Sequence, residues 1–401
     1  MSPIYALPLF TKTSGKPQTS GNLLMRSAAL IKVTTKNLKT FSEKETLFMT
    51  NALALSVREL GNVWPNPSVG CVLVKGGEII GHGWTQAGGR PHAEDRALQM
   101  AGETARGSTA YVSLEPCAHE GETPSCARLL AEAGVKRVVY ALADPDPRTS
   151  GKGAEILKKS GVEVQTGLGE KEALRINQGF FTRLSQKRPM VTLKMAISND
   201  GMIAEGEGIR TAITGQDTNL FTQKLRAKYD AILVGIGTGL ADDPSLTCRI
   251  AGQEHLSPVR IVLDRTLKTP PKSALMKGAK KVPLWIVSEA TELPRHLAKK
   301  GVELISVKDI RNIKEVIENI AKKGITRLIV EGGSTVNTSF HESGLVDYIY
   351  VLKNPALELG SDGVPAFRNP KILKGDKLLG FKSYKRDHIG QDVIDFLERS
   401  V

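Results

Sequence analysis

Cysteine is scarce. Four cysteines in 401 residues cannot form the framework of a disulfide-rich secreted protein. They favour a reducing, cytoplasmic setting, where cysteines are buried, catalytic or metal-bound. No apolar run approaches the roughly 18 residues that a spanning helix needs, which excludes an integral helical membrane protein. Acidic residues are missing from positions 1–42, which carry Lys12, Lys16, Arg26, Lys32, Lys36 and Lys39. That Ser-, Thr- and Lys-rich stretch resembles neither a signal peptide nor a strong transit peptide, and reads as a basic, disordered extension or as the result of an upstream start, with Met25 or Met49 as later ones. It accounts for nearly half of the net charge of +13, so the charge alone is a weak argument for nucleic acid. What is present, 40% hydrophobic and 24% charged residues, is ordinary for a globular protein, and the length predicts two or three domains.

Order is expected from Ser42, where Ser42-Glu43-Lys44-Glu45 fits a capping box. Leu47, Phe48, Ala52, Leu55 and Leu60 follow at helical spacing, with Gly61 as the stop. Residues 69–75 and 78–84 read as strands around the Gly76-Gly77 turn. Helices near 91, 125–133 and 154–159 alternate with strands at 110–114, 137–142 and 162–165, which predicts a largely parallel, covered sheet. A connecting helix over 171–187 and the polar boundary Gln186-Lys187-Arg188-Pro189 precede a second α/β series. Its strands are expected at 190–197, 231–234, 259–263, 284–287, 328–330 and 348–351. The division is 1–42 extension, 43–187 first domain and 188–401 second domain.

His92-Ala93-Glu94 opens a helix, and Pro116-Cys117 follows a strand, with Cys126 nine positions on. One His and two Cys thiolates make a ligand set for a catalytic zinc that keeps one position for water, whose pKa the metal lowers. Glu94 is then placed to shuttle protons to a leaving amine, the division of labour in zinc nucleobase deaminases. His82 and His119 are rival ligands, each reading more simply as a polar strand or loop group. Cys71 and Cys248 read as buried structural residues.

With Pro65-Asn66-Pro67-Ser68-Val69-Gly70, Gly81-His82-Gly83, His92-Ala93-Glu94 and the stretch Leu114-Glu115-Pro116-Cys117-Ala118-His119-Glu120-Gly121-Glu122-Thr123-Pro124-Ser125-Cys126, the first half resembles the deaminase domain of the bifunctional riboflavin-pathway (RibD-type) family. The eight-residue gap between the cysteines carries this, since cytidine and tRNA adenosine deaminases usually have C-x-x-C. Ser125 stands where many members have a second Pro. The resemblance implies that Asn66 contacts the pyrimidine.

The second half has two glycine-rich turns. Gly235-Ile236-Gly237-Thr238-Gly239 lacks a dinucleotide spacing. Ile329-Val330-Glu331-Gly332-Gly333-Ser334-Thr335-Val336 reads equally as a phosphate cradle at a helix start or as a tight turn with positive φ. Leu193-Lys194-Met195-Ala196, Asp200-Gly201, Leu225-Arg226, Gly237-Thr238, Asp242 to Thr247, Arg249 and Glu331-Gly332-Gly333 resemble, in this order, the reductase domain of the same family. That resemblance spans about residues 43–401.

It implies an α/β fold with a cytidine-deaminase-like three-layer domain followed by a dihydrofolate-reductase-like one. It further implies NADPH on Ala196, Thr238, Asp242 and the loop Gly333, Ser334, Thr335, Val336, Asn337, Thr338 and Ser339, with substrate on Arg226, Leu246, Arg249 and Glu331, the arginines suiting a ribose phosphate. Lys194 is a further polar candidate beside the sugar. Three positions depart from the family pattern: Arg210 and Ala212 replace a substrate-side Ser and a cofactor-stacking Trp, and Arg265 replaces a small residue. The implied function is deamination of a diaminopyrimidine ribosylamine phosphate at Zn2+, then NADPH-dependent reduction of its sugar. The partner is a phosphorylated small molecule rather than nucleic acid or membrane, and a homo-oligomer is left open. The alternative is a zinc-dependent nucleic-acid base deaminase with an accessory α/β domain.

Overall fold

The computed structural model describes residues 41–120, 124–299 and 301–400. The expected basic extension therefore lies, up to residue 40, outside the described residues, as do Gly121, Glu122 and Thr123 of the cysteine motif.

The capping box forms as expected: Ser42 Oγ accepts from Glu45 N–H (3.2 Å), and Ser42 N–H donates to Glu45 Oε2 (2.8 Å). It starts α1 (Glu43–Ser56), which ends a turn earlier than the apolar spacing suggests. There follow β1 (Gly70–Lys75), β2 (Glu78–Trp84), α2 (Ala93–Ala101), β3 (Thr109–Val112), α3 (Cys126–Glu132), β4 (Arg137–Tyr140), α4 (Lys152–Lys159), β5 (Glu163–Thr166) and α5 (Glu170–Gln186). The strands make a five-stranded sheet in the order β2-β1-β3-β4-β5. The prediction of a largely parallel sheet is corrected here. β1 pairs antiparallel with both β2 and β3, and only β3-β4 and β4-β5 are parallel. A two-glycine turn leaves β2 no route but back along β1.

The second series contains β6 (Met190–Ile197), β7 (Met202–Ala204), α6 (Gln216–Arg226), β8 (Ala231–Gly235), α7 (Ile236–Asp242), β9 (Val259–Leu263), α8 (Ala274–Lys277), β10 (Leu284–Ser288), β11 (Val302–Ser306), α9 (Ile313–Lys322), β12 (Arg327–Val330), α10 (Ser334–Glu342), β13 (Tyr348–Lys353), β14 (Val364–Pro365), β15 (Leu373–Lys374), β16 (Lys377–Leu378), β17 (Phe381–Ile389) and β18 (Asp392–Arg399). Nine of its strands form one sheet in the order β11-β10-β9-β8-β12-β6-β13-β18-β17. It is parallel from β11 to β13, and β18 runs antiparallel to both β13 and β17. Alternation along β6 puts Val191, Leu193 and Met195 into one core, while Met190 packs on the opposite side, the side to which Lys194 also turns.

The two series meet along α5. Asn177 exchanges two hydrogen bonds with the Ser68 backbone (2.8 and 3.0 Å), tying the helix to the first sheet's loops. On the other side, Arg183 Nε donates to Ala321 O (2.9 Å) and Tyr348 Oη to Gln178 Oε1 (2.6 Å). A side chain at Gly179 would place its Cβ 2.7 Å from Thr326 O, so only glycine allows this approach.

Candidate active sites

His92 is the extended residue that caps α2, Cys117 lies in the loop after β3, and Cys126 opens α3. The fold thus brings three separated segments to one point. His92 Nδ1 lies 3.1 Å from Cys126 Sγ and 3.7 Å from Cys117 Sγ, and the three ligand atoms are all within 4.8 Å of one another. Tetrahedral zinc with its usual bond lengths needs N···S separations of about 3.6 Å, so the group fits that ion. The rivals are elsewhere: His119 Nδ1 meets Thr149 Oγ1 (3.4 Å), and His82 stacks on Trp84. Cys71 and Cys248 are buried.

The electrostatics suit a cation. Hydrogen bonding from the Cys126 thiol lowers the Cys117 pKa to about 4; burial opposes this, while His92 and the Cys126 backbone N–H (3.3 Å from Sγ) add to it. Glu94, in the first turn of α2, is only 3% exposed. Burial raises its carboxyl to about 7, against the pull of His92 and with the help of Cys117. Asn66 sits against Gly89, three residues before His92: a Cβ on that glycine (φ +87°) would lie 1.9 Å from Asn66 Nδ2. Stripped of metal, the chain should be alkylated by iodoacetamide first at Cys117, with Cys71 and Cys248 protected by burial, and added zinc should suppress the reaction. Peptide mass mapping reads this.

In the second sheet, β8 and β12 are parallel neighbours, so their carboxyl ends lie side by side. At the first, Gly235 leads into α7; at the second, Glu331-Gly332-Gly333 leads into α10. Two expectations are corrected here. Gly333 has φ −77° and ψ 179°, which is extended backbone and no left-handed turn. Most of the expected 333–339 loop is instead the first turns of α10. The demanding glycine is Gly332, where a Cβ would lie 2.5 Å from Val336 Cγ1 and 2.6 Å from Val336 Cβ. Gly333 faces Thr238, whose Oγ1 is 3.5 Å from its ideal Cβ position, so the two glycine segments do come together. Ser334 Oγ and Asn337 Oδ1 are buried without partners among the described residues, which suits a polar ligand. Asn337 Nδ2 is spent on Ala366 O (3.0 Å), Thr338 Oγ1 binds Ser334 O and Arg368 N–H, Ser339 is half-buried and Thr335 is exposed.

Arg226, Glu331 and Lys194 form one ion cluster. Arg226 Nε and Nη2 each donate to a Glu331 oxygen at 2.9 Å, and Lys194 Nζ lies 3.6 Å from Oε2. Burial would raise the Glu331 carboxyl, but Arg226 and Lys194 hold it at about 2. The Arg226 fork is therefore committed to Glu331. Arg249 is exposed; its Nη1 donates to Ser245 Oγ (2.8 Å) and its N–H to Gln223 Oε1 of α6 (3.1 Å). The Leu246 side chain is in the core, and its backbone has φ +55°. Asp242 is raised by burial and pulled down by the charge of Arg210, so these two are neighbours. Ala212 is exposed, Ala196 packs against the Leu352, Ile394 and Phe396 cluster, and Arg265 lies 3.8 Å from Glu289.

Residues 42–142 match the cytidine and deoxycytidylate deaminase zinc-binding region, and residues 189–394 match the RibD C-terminal domain. The riboflavin biosynthesis protein RibD of Aquifex aeolicus is 38% identical over 357 residues, which cover 88% of this chain and 98% of that protein. The chain belongs to the RibD family. Acinetobacter baumannii RibD superposes with a TM-score of 0.80 at 35% identity, over 89% of this chain and 99% of that one. A diaminohydroxyphosphoribosylaminopyrimidine deaminase/5-amino-6-(5-phosphoribosylamino)uracil reductase of Thermotoga maritima superposes with a TM-score of 0.78 at 32% identity, with the same coverage. As a RibD protein, the chain is a bifunctional deaminase and reductase of riboflavin biosynthesis, with a cytidine-deaminase-like domain followed by a dihydrofolate-reductase-like one. Its His/Cys group fits zinc, and its reductase domain implies a nicotinamide cofactor. No described helix is long and apolar enough to cross a membrane. The place of each RibD motif was readable in sequence; the union of Arg226 with Glu331, 105 positions apart, had no local signal.

Proposed function

We propose that residues 43–187 deaminate 2,5-diamino-6-ribosylamino-4(3H)-pyrimidinone 5′-phosphate, and that residues 188–401 reduce the ribosyl group of the resulting uracil to ribityl with NADPH. The observation that carries this reading is the convergence of His92 Nδ1, Cys117 Sγ and Cys126 Sγ beside the buried Glu94. His92, Cys117 and Cys126 would hold Zn2+, which supplies a water acidified towards neutrality. Asn66 orients the pyrimidine. Glu94, buried beside His92, Cys117 and Cys126, takes a proton and returns it to the amine leaving C2, so that ammonia departs. Two thiolate ligands favour a reducing cytoplasm as the place of work.

In the second domain, bound NADPH would supply the hydride for reduction of the sugar at C1′. Thr238, Asp242 and the Gly333–Ser339 segment would bind the cofactor, with Ser334 Oγ as a free buried group for it. Glu331, Lys194 and Arg226 lie beside the sugar, and Arg249 takes its phosphate. Gly332→Ala should raise the KM for NADPH at least tenfold, because the new methyl displaces Val336 at the turn, whereas Gly333→Ala should be tolerated. Steady-state reduction rates check both.

The direct test is incubation with the diaminopyrimidine phosphate, followed by product identification. Without NADPH, ammonia and the deaminated ribosylamine should accumulate; with it, the ribitylamine should form. A chain that releases no ammonia from this substrate would overturn the assignment.

A further inference from the structure

Arg260, the second residue of β9, is the largest fully buried side chain among the described residues, with 0% exposure. No carboxylate lies within ion-pair distance of it among them. Its Nη2 donates to Val282 O (2.6 Å), its Nη1 more loosely to Ser245 O (3.4 Å), and its Nε has no partner. Burial pushes its pKa down to about 10. A charge taken out of water without a counter-charge is expensive, and an apolar side chain of similar length would fill this position at less cost. Core stability therefore does not explain an arginine here.

Its two carbonyl partners do. Val282 O belongs to the connection entering β10, and Ser245 O to the 243–249 segment. That segment has positive φ at two residues: Asp243 (+40°), the cap of α7, where an aspartate tolerates it, and Leu246 (+55°), which a leucine adopts only when its surroundings impose it. One end is fixed by Asp243 Oδ1, which accepts from Ala274 N–H at 2.7 Å. Arg260 reaches the middle through its 3.4 Å contact with Ser245 O. Ser245 in turn accepts, through Oγ, the guanidinium of Arg249, whose backbone is tied to Gln223, one turn before Arg226 on α6.

We propose that Arg260 is a positioning residue of the reductase site, setting through Ser245 the place of the Arg249 guanidinium that engages the substrate's phosphate. The proposal rests on the reading of Arg249 as a phosphate ligand. The test is steady-state reduction of the deaminated pyrimidine phosphate by the full chain, with zinc and NADPH present, in Arg249→Ala, Arg260→Met and the double variant. Arg249→Ala should raise the substrate KM about tenfold or more. Arg260→Met should raise it similarly, with kcat and the KM for NADPH little changed, ammonia release normal and no loss of thermal stability. The double variant should be no worse than Arg249→Ala alone, because both changes remove one interaction.

A KM effect in Arg249→Ala but none in folded Arg260→Met overturns the relay and leaves the phosphate reading intact. Effects that multiply in the double variant also overturn it. A normal KM in Arg249→Ala overturns the phosphate reading, and the relay falls with it. Arg260→Lys, which keeps the charge but loses the fork, covers the case in which Arg260→Met misfolds. If both melt early and lose deamination together, Arg260 is a structural support only and the proposal is overturned.

Discussion

Glu94→Gln should retain zinc at one equivalent, keep its fold, and release ammonia about 10²–10⁴-fold more slowly, the range expected for loss of a positioned proton carrier. The amide is nearly isosteric, so the buried pocket at the start of α2 remains filled. What disappears is a buried carboxyl group that can both accept and return a proton. Cys117→Ser or Cys126→Ser should instead lose the metal as well, since a hydroxyl is a poor substitute for a thiolate. Metal content and ammonia yield, measured on the same preparations, separate the two kinds of loss. Full turnover in Glu94→Gln would sink the proton-shuttle assignment.

Glu331→Gln should abolish reduction, leave ammonia release untouched and cost about 3–5 kcal/mol of stability, because Arg226 and Lys194 would be left as buried cations without a counter-charge. The side chains of all three are only 10–12% exposed, so solvent screens the cluster little. The sign with pH follows from the direction of the shift. Glu331 is depressed from 4.5 to about 2 in the folded protein, so its contribution is complete above about pH 4.5 and fades as pH falls through 2. The substituted protein should lack this part of the acid response. Acid unfolding curves of both forms, with reduction of supplied intermediate as the activity readout, provide the check.

The His92, Cys117 and Cys126 group was legible in sequence because metal chemistry restricts residue type and spacing more tightly than it restricts the path of the chain. His82 and His119 could be set aside fully only when their ring partners, Trp84 and Thr149, were seen. The Ser42 cap was equally legible, being a contact across three positions. Strands β11, β17 and β18 were not expected. β11 is a five-residue edge strand, and β17, Phe-Lys-Ser-Tyr-Lys-Arg-Asp-His-Ile, is a polar edge strand with little apolar alternation to read. β18 has that alternation, but its pairing partners, β13 and β17, are found only in three dimensions. The turn at Gly333 misled for a related reason: a glycine pair says that space is tight without saying which of the two is crowded. Val336, one turn along α10, decides in favour of Gly332.

Helix α5 gives this chain an asymmetric seam. Asn177 belongs by its hydrogen bonds to the first sheet, while Gly179 and Arg183 on the same helix are fitted to the second. A gene divided at the codon for Arg188 would hand the whole helix to one product. It would leave the carbonyls of Ala321 and Thr326 on the other facing water, beside an apolar patch that includes Trp285, against whose ring Trp64 now packs edge-on. Two separate enzymes cut from this chain would each expose part of this seam. Losing one activity while keeping the other is simpler through substitutions inside a single site, with the inactive half retained as scaffolding.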